Sequence, residues 1–337
     1  MKDKRMKANT PVTRRRALTV LAAAAGLPLF GVPRAGARMP ELEWRGGALG
    51  GPARIVIRDP DEQRVRRILG HCVREVERLE AIFSLYRPHS ELTRLNAEGR
   101  LAAPSHDLRL VMAEARRFGA LSEGAFDVTV QPLWRLHSRH FARHPADREG
   151  PAERSIARAA GLVDYRDIDC DDGRIALARR GMAVTLNGIA QGYITDRISD
   201  LLRDAGMTGV LVDLGEIRAL DAPGGEPWRI GIEDPRDRSR MIGSLSLRGA
   251  ALATSGGYGM PFDPDGRFHH LFDPATGRSA GQCLSASAVA PDAMTADALA
   301  TALVVAGTGQ ARSLLAAFGG SHARLTLHDG TVVEDTL

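Results

Sequence analysis

Cysteine is scarce: Cys72, Cys170 and Cys283 are the only three in 337 residues, and no Cys-x-x-Cys pair occurs. So few, and an odd number, exclude a disulfide framework and a zinc knuckle. One bridge stays open, with nothing to say which two would pair. Long apolar runs are missing too; beyond the first 37 residues no stretch is apolar enough to cross a membrane. There is no internal repeat and no low-complexity linker. A basic surface is also lacking. The formal net charge is +4, yet residues 1–37 hold eight basic residues against Asp3 alone, a segment of +7 that leaves −3 for the remainder. The basic pI of about 9.2 belongs to the leader, and nucleic-acid binding is not implied. With 44% apolar and 26% charged residues the rest is ordinary for a soluble globular protein.

The leader has a pattern of its own. Thr13-Arg-Arg-Arg-Ala-Leu18 is a twin-arginine motif after a polar stretch, followed by a mild apolar run from Ala17 to Val32 and by Ala35-Gly-Ala37, a small-x-small cleavage site. This predicts a signal peptide over 1–37, export by the twin-arginine machinery, and a periplasmic mature domain over 38–337 starting near Arg38.

In the last third three features point to chemistry. Ala253-Thr-Ser-Gly-Gly-Tyr258 reads as a turn offering hydroxyls and free N–H groups, as phosphate oxygens require. His270 stands in a His-x-x-Asp-Pro segment, beside a rigid turn. Asp297 and Thr301 are spaced i,i+4, so a helix over Ala293 to Ala306 puts both oxygens on one face. A carboxylate and a hydroxyl so placed suit a hard cation such as magnesium with a bound phosphate. None of the three is specific alone; together they suggest phosphoryl-group chemistry.

Between these ends the periodicity predicts a mixed α+β domain, its central sheets flanked by helices. Arg54-Ile-Val-Ile57 is a strand, and apolar steps from Val65 to Phe83 make a long amphipathic helix stopped before Pro88. Ser90 caps a short helix and Ser105 another, which runs to about Phe118 with Gly119 beyond it. Gly124 and Asp127 read as turn residues at a cleft mouth. Residues 135–151 read as a surface insertion, with His106, His137, His140 and His144 solvated. Tyr165–Asp169 and Arg174–Leu177 read as paired strands, Met182–Leu186 as a short buried strand, and Asn187-Gly188 as the opening of a helix running to about Ala205. That strand-to-helix turn lacks the Gly-x-Gly-x-x-Gly spacing of a dinucleotide fingerprint. Val210–Gly215, Trp228–Ile232 and Ser244–Leu252 continue the sheet. Two helices, 293–306 and 310–318, precede a closing hairpin about Asp329-Gly330.

Seven segments, in order, resemble the ApbE-type FAD:protein FMN transferases. They are Phe83-Ser-Leu-Tyr-Arg-Pro-His-Ser-Glu-Leu-Thr-Arg-Leu-Asn96, Gly124-Ala-Phe-Asp127, Gly188-Ile-Ala-Gln-Gly-Tyr-Ile-Thr-Asp196, Leu211-Val-Asp-Leu-Gly215, Ala253-Thr-Ser-Gly256, His270-Leu-Phe-Asp-Pro-Ala-Thr-Gly277 and Ala296-Asp-Ala-Leu-Ala-Thr301. The leader, Val130-Gln-Pro-Leu-Trp134 and Leu186-Asn-Gly-Ile-Ala-Gln191 further resemble the NosX branch, which is linked to nitrous-oxide reductase maturation. The resemblance implies an enzyme that binds FAD and magnesium and transfers FMN to a Thr or Ser of an acceptor, releasing AMP. It implies magnesium held by the side chains of Asp297 and Thr301 and the carbonyl of Ala190, with His270 taking the acceptor hydroxyl's proton. Tyr86, Ala125, Phe126, Asp127, Asn187 and Thr254 take its flavin- or adenosine-contacting positions. The acceptor it implies is a periplasmic flavoprotein domain, of which a NosR-type membrane electron-transfer protein is one candidate.

Departures from that pattern cluster around the phosphate region. The family's Asp-Leu-Gly-Gly-Ile-Ala-Lys stands here as Thr185-Leu-Asn-Gly-Ile-Ala-Gln191, so a carboxylate and a phosphate-reaching lysine are both missing. Met-Gly-Thr becomes Leu49-Gly-Gly51, Gly-Gly becomes Gly215-Glu216, and Ser-Gly-Asp-Tyr becomes Ser255-Gly-Gly-Tyr258. The metal pair and the histidine motif survive, which favours a working transferase. Two alternatives stand beside it: a non-catalytic FAD-binding maturation factor, and a pyrophosphatase that releases FMN and AMP.

Overall fold

A computed structural model describes residues 41–48, 51–319 and 321–336. The leader, the expected start near Arg38 and the Leu49-Gly50 pair lie outside the described residues. In chain order the elements are β1 (Glu41–Ala48), β2 (Gly51–Arg58), α1 (Glu62–Phe83), α2 (Glu91–Glu98), β3 (Arg100–Ala102), α3 (His106–Leu121), α4 (Gln131–Arg143) and α5 (Glu153–Ala160). There follow β4 (Ile168–Cys170), β5 (Arg174–Leu177), α6 (Ala190–Asp204), β6 (Val210–Asp213), β7 (Ile217–Leu220), β8 (Trp228–Asp234), β9 (Asp237–Leu247) and β10 (Ala251–Gly256). The last are β11 (Ser285–Ala290), α7 (Ala293–Ala306), α8 (Ala311–Ala317), β12 (His322–Thr326) and β13 (Val332–Thr336).

Eight strands form one antiparallel sheet in the order β1-β2-β6-β7-β10-β11-β12-β13. Its central strands are apolar on both faces because both are covered. Along β2, Ile55 and Ile57 point into the main core with the helices. Val56 points the other way and joins Leu211, Ala219, Leu252, Trp228, Ile230 and Leu247 in a second cluster. The cover there is the β8–β9 pair, which is a separate two-stranded sheet and does not extend the main one. The expected continuation through Trp228–Ile232 is therefore corrected: the hairpin lies across the sheet, and the main sheet resumes only at Ala251.

Helix α7 occupies the middle of the core. Its sequence is apolar all round, and eleven of its fourteen residues are buried, as expected of a helix enclosed on every side. It packs on β10, β11, α6 and α8. The crossing with α6 is tight: a Cβ built at Gly192 would lie 2.6 Å from Met294 Cα, so only glycine fits. Two reciprocal contacts hold it. Asp196 on α6 accepts from the first N–H groups of α7, Ala293 and Met294, each at 2.9 Å, and Asp297 on α7 accepts from Gly192 N–H at 3.1 Å.

Several local expectations are corrected. Met182–Leu186 is buried as expected but is not a strand. Asn96 supplies its hydrogen bonds, donating to Val184 O at 2.8 Å and accepting from Val184 N–H at 2.6 Å. Helix α3 continues through Gly119 to Leu121, with the Tyr165 ring packed where a side chain would stand. Tyr165–Asp167 is a 3-10 turn, and pairing with β5 begins at Ile168. Residues 131–143 form α4, and His137, expected in solvent, is 1% exposed. Its ring lies 4.8 Å from that of Phe272 and 5.9 Å from that of Phe262, with Nδ1 on Leu133 O. His140 is held by Asp147 at 2.7 Å. All three cysteines are free; Cys72 and Cys283 are buried, and burial pushes their thiols up to about 12 and about 11.

Overpacking of a glycine-only crossing costs about 1–3 kcal/mol. Gly192→Ala is therefore expected to lower the unfolding free energy by about 2 kcal/mol in urea titration. Ala298→Gly, one turn along α7, removes a methyl without a clash and is expected to leave the α6–α7 contacts intact at a cost of about 1 kcal/mol.

Candidate active site

The elements around α6, α7 and β10 enclose an open cavity of about 860 Å³, within the roughly 300–1,000 Å³ of small-molecule and cofactor sites. Asp297 and Thr301 line it from one face of α7, as their spacing predicts. Thr254 and Ser255 come from the end of β10. The Thr-Ser-Gly-Gly stretch was expected as a turn; residues through Gly256 are instead paired with β11, and the chain turns at Gly257–Gly259. Strand register sets Thr254 Oγ1 2.8 Å from Ser287 Oγ, while Ser255 Oγ lies 3.2 Å from Thr301 Oγ1 on α7.

Of the two adjacent histidines only His270 lines the cavity. His269 is consumed by the fold, with Nε2 on Ala280 O at 2.9 Å and Nδ1 accepting from Leu271 N–H. His270 Nδ1 is buried without a partner. Burial, with His269 close by, pulls its pKa down to about 4, so the ring is neutral at pH 7.

Ala125, Phe126, Asp127 and Asn187 line the same cavity. The Asp127 carboxylate is already engaged: it accepts from Thr129 N–H at 2.7 Å, Thr129 Oγ1 at 2.5 Å and Tyr165 N–H at 2.9 Å, and so shapes the loop. Ala190 is buried in the first turn of α6 and does not line the cavity. Its neighbour Gly188 is so close to α7 that a Cβ there would lie 2.9 Å from Thr301 Oγ1. Tyr86 lies apart, 72% exposed, at an adjoining cavity of about 420 Å³ that shares Trp134 and Asn187 with the larger one.

Two lining carboxylates stand out. Asp297 is 3% exposed, and burial pushes its pKa up to about 8, with the Asp196 charge adding to the rise and the Gly192 N–H opposing it. Glu216 is 7% exposed. Burial raises its pKa well above the usual carboxylate range, and the charges of Asp297 and then Asp213 raise it further. Sequence reasoning marked Glu216 only as a departure from a pattern. Its burial was not legible, since an acid after a turn glycine reads as solvated.

Neither carboxylate has a cationic side-chain partner among the described residues. No lysine occurs after Lys7, and the arginines lining the cavity, Arg45, Arg54 and Arg238, are paired with Glu43 and Glu233. Two uncompensated carboxylates beside two hydroxyls make a hard, anionic oxygen set, which fits a divalent cation such as magnesium. No group of three or more His, Cys, Asp or Glu arranged to hold a metal occurs among the described residues, so such an ion would need hydroxyl, carbonyl or ligand oxygens as well.

The chain is similar to known proteins in sequence and in fold. The model of the ApbE family matches residues 49–325. The FAD:protein FMN transferase of Haemophilus influenzae is 32% identical over 69% of this chain and 70% of its own. That of Salmonella typhimurium is 29% identical over 80% of each. Among solved structures, the ApbE protein of Thermotoga maritima superposes with a TM-score of 0.76 at 31% identity, over 88% of this chain and 97% of its own. The flavin transferase ApbE of Vibrio cholerae does so with a TM-score of 0.75 at 27% identity, over 88% and 96%.

The buried carboxylates set a pH response. Asp297 is raised from the usual carboxylate range to about 8, so between these values the native state holds a proton that the unfolded chain has lost. Stability is then full at acid pH and falls as pH rises toward 8, by at most about 1.4 kcal/mol per pH unit per proton. Above about pH 6.5, where the histidines held neutral by burial no longer offset it, urea titrations in EDTA are expected to show this fall up to pH 8, and Asp297→Asn to flatten it. A wild-type profile that rises between about pH 6.5 and pH 8 would contradict the assignment.

Proposed function

The chain belongs to the ApbE family, and we propose that it transfers FMN from FAD to a threonine or serine hydroxyl of an acceptor protein, releasing AMP. The observation that carries the reading is the buried Asp297 carboxylate, set with the Thr301 hydroxyl at an open cavity and without a cationic side chain to neutralise it.

In this reaction the acceptor oxygen bonds to the FMN phosphorus, the pyrophosphate bond to AMP breaks, and the hydroxyl proton leaves. His270 is the proton acceptor: its ring is neutral at pH 7 and lines the cavity. A negative pyrophosphate beside the ring raises its basicity from about 4 toward the working range. Asp297 and Thr301 would hold magnesium, which supplies Lewis-acid stabilisation of charge on the pyrophosphate oxygens; the resemblance adds the carbonyl of Ala190, which does not line the cavity. Gly192 N–H fixes one oxygen of Asp297 and so orients the carboxylate before any ligand arrives. Ala125, Phe126, Asn187 and Thr254 contact the dinucleotide, with Asp127 shaping the loop that carries them, and the exposed Tyr86 ring offers a stacking face. Gln191 in the lysine position makes only a long contact, 3.5 Å, to Leu214 O, and brings no charge to the phosphates.

The proposal extends to the chain's place in the cell. Residues 1–37 are taken as a cleaved twin-arginine signal peptide and 38–337 as a periplasmic transferase domain. Its acceptor is taken to be a NosR-type membrane electron-transfer protein, in support of nitrous-oxide reductase maturation. The arginines at 14–16 and the Ala35-Gly-Ala37 site support this. No helix among the described residues is long and apolar enough to span a membrane.

Mass spectrometry of an acceptor domain, incubated with the protein, FAD and magnesium, tests the reading. A gain of one FMN on Thr or Ser is expected, dependent on magnesium and lost with His270→Ala. Free FMN and AMP without a modified acceptor would point instead to a pyrophosphatase, and tight FAD without AMP release to a flavin-binding maturation factor. Asp297→Ala and Thr301→Ala are each expected to abolish magnesium-dependent turnover; retention of activity in both would reject the metal assignment.

A further inference from the structure

The turn between β6 and β7 carries an unsatisfied buried oxygen of the cavity. Gly215, with φ +107°, reverses the chain, and the Glu216 carbonyl accepts from Leu214 N–H at 3.1 Å and Thr195 Oγ1 at 3.4 Å. The backbone is thereby pinned, and the side chain lines the cavity together with Asp297, Thr301 and Ser255. Oε2 of its carboxylate is buried with no partner.

A buried carboxyl oxygen without a donor costs roughly 1–3 kcal/mol, and more when charged. Protonation does not remove the problem in this arrangement, because no acceptor lies within hydrogen-bond distance of Oε2. A lysine or arginine would, yet none is paired with Glu216 among the described residues. The nearest charges are two further carboxylates, Asp297 and Asp213. What satisfies such an oxygen is a cation that several carboxylates share.

We infer that Glu216 is a ligand of the divalent cation, giving it a second carboxylate in addition to Asp297 and the Thr301 hydroxyl. The inference rests on the cation reading of the cavity and adds to it a residue outside the Ala190, Asp297 and Thr301 set. Two carboxylates lower the net charge on the ion to zero before the dinucleotide binds, so the cation is held in its absence.

The test is a titration of the purified, chelator-stripped chain with manganese(II), without FAD, following the electron paramagnetic resonance signal of the free ion. Wild type is expected to bind one ion. Both Glu216→Gln and Asp297→Asn are expected to raise Kd at least about tenfold, the scale for losing a group that acts on a bound metal. Glu216→Gln is nearly isosteric, so its melting temperature in EDTA is expected to stay close to the wild-type value. The rise in melting temperature on adding manganese is expected to shrink.

If Glu216→Gln binds manganese as wild type does while Asp297→Asn does not, Glu216 is not a ligand and the cation reading stands. If the only change in Glu216→Gln is weaker FAD binding, the side chain serves the dinucleotide, and the inference falls in the same way. Wild type that binds no manganese overturns the inference and the cation reading together.

Discussion

Helices α6 and α7 hold each other by exchanged hydrogen bonds, and the chemistry of the cavity depends on that crossing. Asp196 caps the N-terminus of α7 with two backbone donors, while Asp297 accepts the Gly192 N–H near the start of α6. The two contacts differ in their energetics. A helix cap contributes about 0.5–2 kcal/mol, and it anchors α7 at the end from which Asp297 and Thr301 project one and two turns on. Asp297 itself is a liability for folding, buried beside other carboxylates with one backbone donor. The capping carboxylate thus offsets part of what the cavity carboxylate costs, on the same pair of helices. Local destabilisation of this kind is what a site poised for a ligand carries.

The β8–β9 hairpin has a double place in the architecture. Its buried residues close the second face of the main sheet, with Trp228, Ile230 and Leu247 against Val56 and Leu252. Further along, Gly231, Ile232, Glu233 and Arg238 form part of the cavity wall. Arg58 stacks over the Trp228 ring at 3.9 Å and ties the hairpin to β2. Packing of the sheet and shape of the cavity are therefore coupled through one two-stranded piece. Arg238 of the hairpin, with Arg45 and Arg54, lines the same cavity as the carboxylates Asp213, Glu216 and Asp297.

The long helices were legible because their periodicity is strong and their starts are capped: Asp61, Ser90, Ser105 and Asp292 all accept from the first turn as expected of such residues. The Asp297–Thr301 face was legible for the same reason. What escaped was whatever depends on a distant partner. The apolar run Met182–Leu186 reads as a strand, but Asn96 occupies Val184 in place of a neighbouring strand. His137 reads as solvated amid arginines, but phenylalanines from residues 262–272 close over it. Glu216 reads only as a departure from a motif, and its burial depends on what packs around the turn. Local sequence determines an element; the environment of one side chain is set by residues far along the chain.

The free thiols carry a consequence for how the chain meets oxidants. In the folded protein Cys72 and Cys283 are shielded and held as thiols far above neutral pH, and the partly exposed Cys170 is also shifted upward by burial. Exchange with a disulfide needs a thiolate that can be reached, and the native structure presents almost none. An unfolded copy exposes all three at ordinary reactivity, with an odd count that cannot be closed within one molecule. The redox vulnerability of this protein is thus confined to the interval before it folds. Folding under reducing conditions protects the thiols with no dedicated partner.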